Sequence, residues 1–214
     1  MFCYNRKLWE KSQIAIMKKD LNPLEKSQIK QSDTAIGPTI RSSGSQLSQR
    51  LGTALENALP GKEFWDICCD HGILGIHALK SQKFSEVNFV DQVPQIMDQL
   101  EEKIRKHVKK SATNDQQQMI GFNFYTCPAE LLRTSLKGNI CILGVGAEKI
   151  NFILQEWLKL DLLHADRLIL GPHKDIEWFC EEVIPRFPGY HLVKKIDILE
   201  KNRTRTILVL DKLL

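Results

Sequence analysis

Leu47, Leu51, Leu55 and Leu59 recur every four residues with polar residues between them. That spacing predicts an amphipathic helix over "LSQRLGTALENAL", stopped by Pro60-Gly61. Beyond it, short β-rich apolar runs alternate with segments of helical period. "EFWDI" precedes "ILGIHALKSQ", and "SEVNFV" leads to Asp91 and a helix from Pro94 to about Lys109. "FNFYT" precedes "PAELLRTSL", "NICIL" precedes "AEKINFILQEWLKL", and "DRLIL" precedes "DIEWFCEEVIPRF". Two strands, "HLVKKIDIL" and "TRTILVL", close the chain around the polar turn "EKNRT".

Five strand–helix alternations predict a parallel sheet with right-handed crossovers and helices on both faces. The closing pair must be antiparallel, because "EKNRT" is far too short for a crossover. The expected fold is α/β: a doubly wound, Rossmann-like sheet with a C-terminal antiparallel β-hairpin, spanning residues 47–214. Residues 1–46 read differently. Leu8, Trp9, Ile14, Met17 and Leu21 are loosely helical with Pro23 as an interruption, and "SDTAIGPTIRSSGSQ" has linker composition. An appended, partly mobile arm is expected there.

Composition narrows the class. A hydrophobic fraction of 43% with 26% charged residues suits a full core in a soluble protein. No apolar run approaches the roughly 18 residues a membrane span needs, and "MFCYNRKLWEKSQ" lacks the apolar core of a secretory signal. A cytoplasmic protein without membrane attachment is expected, a monomer or at most a weak homodimer. The net charge of +4 is uneven: residues 1–50 hold nine Lys/Arg against four Asp/Glu, a basic arm of the kind that adds attraction to nucleic acid. Cysteines stand at 3, 68, 69, 127, 141 and 180 without any CxxC spacing. They read as reduced thiols, with no metal site.

Ligands of such sheets sit beyond the carboxyl ends of the strands, which here read "DICCDHG", "VDQ", "TCPAE", "GVGAE" and "GPHKD". After Asp66, a tight turn brings backbone N–H groups and a helix start toward a carboxylate or phosphate. Asp91 falls about 20 residues on, where a carboxylate accepts ribose hydroxyls or else caps the next helix. Glu130 is placed to accept from an adenine amino group, or to serve as a first-turn helix acid. Gly144-Val145-Gly146-Ala147 lets the backbone pass close to a ligand or simply makes a tight turn. Asp70 is placed to face the reacting end of a ligand. For His71, packing or helix-end hydrogen bonding competes with proton transfer. A GxGxxG nicotinamide loop is excluded, since Cys68, Asp70 and Ile73 stand at its three glycine positions.

Three stretches together, "LSQRL…WDICCDHGILGIHAL", "CILGVGAEKINFIL" and "RLILGPHKDIEWFCEEV", resemble the bacterial tRNA adenine-N1 methyltransferase family known as TrmK. That family has an "LS.RL" helix, "DIGSDH" or "DIGCDH" after the first strand, "GMGG..I..IL", "LILQPN" and a closing strand pair. The similarity spans about residues 47–211, and Cys69-Asp70-His71 is its most specific element. The resemblance implies a class I methyltransferase that uses S-adenosylmethionine (SAM) to methylate N1 of an adenosine in the D arm of tRNA, of the position-22 type.

It also implies residue roles. SAM would lie against Asp66, Cys68, Cys69, Asp70, His71 and Gly72, with its ribose at Asp91 and Gln92. Ala129 and Glu130 would flank the adenine, and Gly144, Val145 and Gly146 the methyl-transfer pocket. Ala147, Pro172 and His173 would meet the substrate base, and Asp70 would be the catalytic carboxylate. The sequence departs from the pattern at Cys68 and Ala147, both glycine in the family, and at His173, asparagine there. Family members continue into a helical C-terminal segment, whereas this sequence stops at Leu214; the basic N-terminal arm is expected to help hold RNA instead. A catalytically silent module binding RNA or protein, and a small-molecule methyltransferase, are the alternative readings.

Overall fold

The computed structural model describes residues 47–111 and 120–213; the arm expected over 1–46 lies outside them. Helix α1, Gln49–Glu56, is capped by Ser48, whose hydroxyl accepts the Leu51 N–H. It ends at Asn57 rather than at Pro60. The reason is Asn139, fully buried at the start of a central strand. Its side-chain oxygen accepts the Leu59 N–H at 2.7 Å while its amide donates to the carbonyls of Leu59 and Glu63. Those bonds hold the chain in an extended entry to the sheet.

Strands β1 (Phe64–Ile67), β2 (Glu86–Asp91), β3 (Gly121–Thr126), β4 (Asn139–Leu143) and β5 (Arg167–Gly171) are parallel, and β6 (Tyr190–Glu200) and β7 (Arg203–Lys212) form the hairpin. The sheet order is β3-β2-β1-β4-β5-β7-β6, so β7 enters antiparallel between β5 and β6. Lys201 and Asn202, both at positive φ (49° and 61°), make the two-residue turn that matches strand twist. Arg167 forms a bidentate pair with Asp211 and also donates to the Asn57 carbonyl at 2.7 Å, locking β5, β7 and the end of α1 together.

Helices α2 (Ile73–Ser81), α3 (Pro94–Ser111) and α4 (Ala147–Lys159) cover the two faces. Period-two alternation along β4 divides the core: Ile140 and Ile142 join Ile150, Ile153, Leu154 and Trp157 of α4, whereas Cys141 and Leu143 join the face shared by α1, α2 and α3. Trp157 is fully buried, and truncating such a side chain costs about 3–5 kcal/mol.

Two expected helices come out differently. "PAELLRTSL" makes only a 3-10 turn, Ala129–Leu131. The Ala129 carbonyl is held by the Trp157 indole N–H at 2.8 Å, and Leu136 is drawn into the core and bridges to Leu163. The segment is therefore stretched across the sheet edge instead of coiled. "DIEWFCEEVIPRF" is helical but irregular: one α turn at Ile176–Trp178, a π turn at Phe179–Val183 and a 3-10 turn at Ile184–Arg186. Pro185 accounts for the final tightening, since it has no N–H to continue the ladder. No helix among the described residues is long and apolar enough to cross a membrane.

Candidate active site

Strand β1 delivers Asp66 into the core, where it is 5% exposed. Its Oδ2 accepts the Gly75 N–H at 2.8 Å, tying the first turn of α2 to the strand. A Cβ on Gly75 would lie 2.2 Å from the Phe89 ring, so only glycine permits this approach. Burial pushes the Asp66 carboxyl up to about 7; the Gly75 N–H opposes that shift, and the charges of Asp91 and Asp70 add to it.

The turn that follows has an alternating backbone. Cys68, Asp70 and Gly72 sit at φ 56°, 49° and 65°, with Cys69 and His71 at negative φ between them. The N–H groups of Cys69, Asp70 and Gly72 are all taken by acceptors of the protein itself, so the turn is fastened from within. Cys68 thus keeps the left-handed backbone that a glycine would supply, at roughly 1–2 kcal/mol of local strain. The Cys69 N–H donates to the Val90 carbonyl at 3.0 Å, and the Gly72 N–H to the Cys69 carbonyl at 2.8 Å. The two thiols part company. Cys68 packs on the α4 side of the sheet, whereas Cys69 is buried on the other side, 3.8 Å from the Met97 sulfur. They are not arranged to share an ion, and burial raises both, Cys68 to about 11.

Asp91, at the end of β2, accepts the Asp70 N–H on Oδ2 and the Val93 N–H on Oδ1, both at 3.0 Å. It therefore both fastens the first loop and organises the approach to α3; Gln92 beside it is exposed. Glu130 pairs through Oε1 with Lys149 at 2.7 Å, while its Oε2 is buried without a hydrogen-bond partner. Gly144 (φ 85°) and Gly146 end β4, and a Cβ at either position would meet nothing within 4 Å. The Val145 carbonyl accepts the His173 N–H at 3.1 Å, joining the fourth and fifth loops. Ala147 and Pro172 are buried, Ala147 against the core under α4, and His173 is exposed.

Asp91 ties the second loop to the first through the Asp70 N–H, and the Glu130–Lys149 pair ties the third loop to the helix that follows the fourth. Asp70 and His71 stand at the rim of these loops, their side chains 70% and 67% exposed and 3.8 Å apart. His71 is thus neither packed nor buried. The arrangement combines a carboxylate at the end of β2, an unmet buried acceptor on Glu130 and open space over two glycines. Those three features fit a nucleoside ligand. Lys149, in the first turn of α4 just after the glycine loop, is a candidate that motif reading passes over; its link to the other loops is its pair with Glu130.

A sheet in this order, with these loops converging at its carboxyl edge, defines the methyltransferase class of α/β proteins. Residues 47–208 match the family described as "Methyltransferase domain", and the chain belongs to that family. No curated protein sequence matches it. Among solved structures, the Bacillus subtilis m1A22 tRNA methyltransferase TrmK is similar at 20% identity and TM-score 0.59, over 78% of this chain and 67% of that one. TrmK of M. capricolum, in complex with S-adenosyl-homocysteine, is similar at 15% identity and TM-score 0.57, over 78% and 69%. The magnesium protoporphyrin IX methyltransferase ChlM of Synechocystis, with bound SAM, is similar at 15% identity and TM-score 0.58, over 93% and 96%. These likenesses establish the fold.

Proposed function

We propose that the protein is a SAM-dependent tRNA methyltransferase acting on N1 of an adenosine. One observation carries the reading: the Cys69-Asp70-His71 turn, the most specific element of the TrmK resemblance, is locked to Asp91 through the Asp70 backbone and leaves the Asp70 carboxylate open at the rim. The TrmK structures among the fold's neighbours support the same direction.

In this reading the Cys68–Gly72 turn and the glycine loop at 144–146 flank the cofactor's amino-acid end and sulfonium, Asp91 its ribose, and Glu130 Oε2 its adenine amino group. When bound, SAM supplies an activated methyl group on sulfur. The chain's work is to orient the acceptor nitrogen in line with that methyl and to exclude water. The target base leaves its stack to reach the rim. Asp70 faces the base as positive charge develops on its ring, stabilises that charge and takes the surplus proton. His173 bounds the base from the β5 side.

The test is calorimetric titration with SAM and with its demethylated product, followed by radiolabelled methyl transfer to unmethylated tRNA and mapping of the modified nucleotide. Binding of both ligands and a label on adenosine N1 are expected. No heat with either ligand overturns the enzyme reading. Binding without transfer to tRNA overturns the substrate.

A further inference from the structure

Away from the cofactor loops, Ser48, Arg50, Glu200, Lys201, Arg203 and Arg205 line a concavity of about 530 Å³. Four cations face one carboxylate there. β7 pairs with β5 only as far as Leu208, opposite Leu170. Arg203 and Arg205 therefore project past the carboxyl end of β5, where the chain turns through Pro172 and His173. Five cross-strand pairs, from Ile196–Ile207 to Glu200–Arg203, and the tight Lys201-Asn202 turn make this projection stiff. The first helix adds Arg50, 19% exposed, whose Nε is buried without a hydrogen-bond partner. Its approach to Glu200 is 3.9 Å, too long for a hydrogen bond, and Glu200 Oε1 is likewise unpartnered. A buried donor left in this state is unfavourable, and a multidentate anion would satisfy it.

We infer that this concavity binds a backbone phosphate of the RNA, flanking the nucleotide presented to the active site. The inference rests on the tRNA reading above and deepens it. Arginine's planar fork suits phosphate oxygens, and contacts of this type fix register without reading sequence. The placement beside the β5 loop is also felt electrostatically: burial, then the charges of Arg205 and Arg50, hold the His173 imidazole below its ordinary pKa. A phosphate in the concavity therefore anchors the strand next to His173 while the base enters the mouth.

The experiment uses the full chain and an unmodified tRNA transcript, with affinity measured between 50 and 200 mM salt. R203A/R205A is expected to weaken tRNA binding at least tenfold and to lower the slope of log affinity against log salt by about 2. SAM titration should be unchanged, and methyl transfer should show a raised KM for tRNA at unchanged kcat. R203K/R205K, which keeps the charge, should retain most of the slope. K80A/K83A removes two exposed cations at the far end of α2 and should leave the slope nearly intact. An unchanged slope in R203A/R205A, with wild-type binding intact, overturns the phosphate site alone. Equal losses in K80A/K83A overturn it in favour of diffuse charge. Wild-type protein that binds SAM but no tRNA at 50 mM salt overturns the substrate reading together with the site.

Discussion

The Asp91 carboxylate accepts the backbone N–H of Asp70 at 3.0 Å, so the acid at the end of the second strand sets the position of the acid on the first loop. Its other oxygen holds the Val93 N–H. Asp91→Ala removes both charge-assisted bonds. It is expected to cost about 1–3 kcal/mol of stability and to weaken SAM at least tenfold, read by thermal melting and calorimetry. Asp91→Asn, which keeps one acceptor oxygen, should fall between.

Gly146 gives a cleaner separation of folding from binding. Its φ of −72° suits any residue, and a Cβ there meets no protein atom. Gly146→Ala should melt within about 0.5 kcal/mol of the parent yet lose SAM affinity. An alanine variant that binds SAM normally would remove this loop from the cofactor site.

Asp66 makes stability depend on pH. Its folded pKa of about 7 lies above the value of an unfolded aspartate, near 3.8. Between those values the native state holds a proton that the unfolded chain does not. Its contribution is therefore fully present below about pH 4 and is lost as pH rises through about 7, on the order of 4 kcal/mol at most. Asp66→Asn keeps an acceptor for Gly75 without titrating. Denaturant melts should show its stability relative to the parent rising from pH 4 to pH 7, then levelling.

The thiol at Cys68 should behave as a packed side chain. With its pKa pushed up to about 11, alkylation at pH 7.5 is expected to run roughly two orders of magnitude slower than for a free thiol. Peptide mass spectrometry after timed iodoacetamide treatment reads this directly. Rapid labelling would contradict the packing.

Asp70→Asn preserves a residue type that tolerates positive φ and keeps the backbone bond to Asp91. It should leave SAM affinity within about threefold while lowering kcat by 100-fold or more. A matched fall in SAM affinity would make Asp70 a cofactor ligand rather than the catalytic group.

The architecture was legible because its signals are local and repeated: alternation along "NICIL", the four-residue leucine step, and a turn too short for a crossover. The failures share a cause. "PAELLRTSL" has helical spacing, but Trp157 and the core claim Ala129 and Leu136, and tertiary contacts override a short segment's propensity. At the candidate site, strand ends pointed to Asp66, Asp91 and Glu130. The Glu130–Lys149 pair joins loops 19 residues apart, and the Arg50 cluster joins segments 150 residues apart, so neither leaves a pattern in one dimension. Cys68 misleads in a different way, because a residue that normally avoids left-handed backbone occupies it.

The insertion of β7 between β5 and β6 has a consequence for how the chain matures. Ile207 to Leu210 are almost fully buried, yet they belong to the last of the sheet's strands to be synthesised. Until it arrives, β5 presents an open edge of hydrophobic backbone and β6 has no neighbour in the sheet. The domain cannot close progressively behind the ribosome; it must wait for its final strand, and the period before that is when it is most exposed to misassembly.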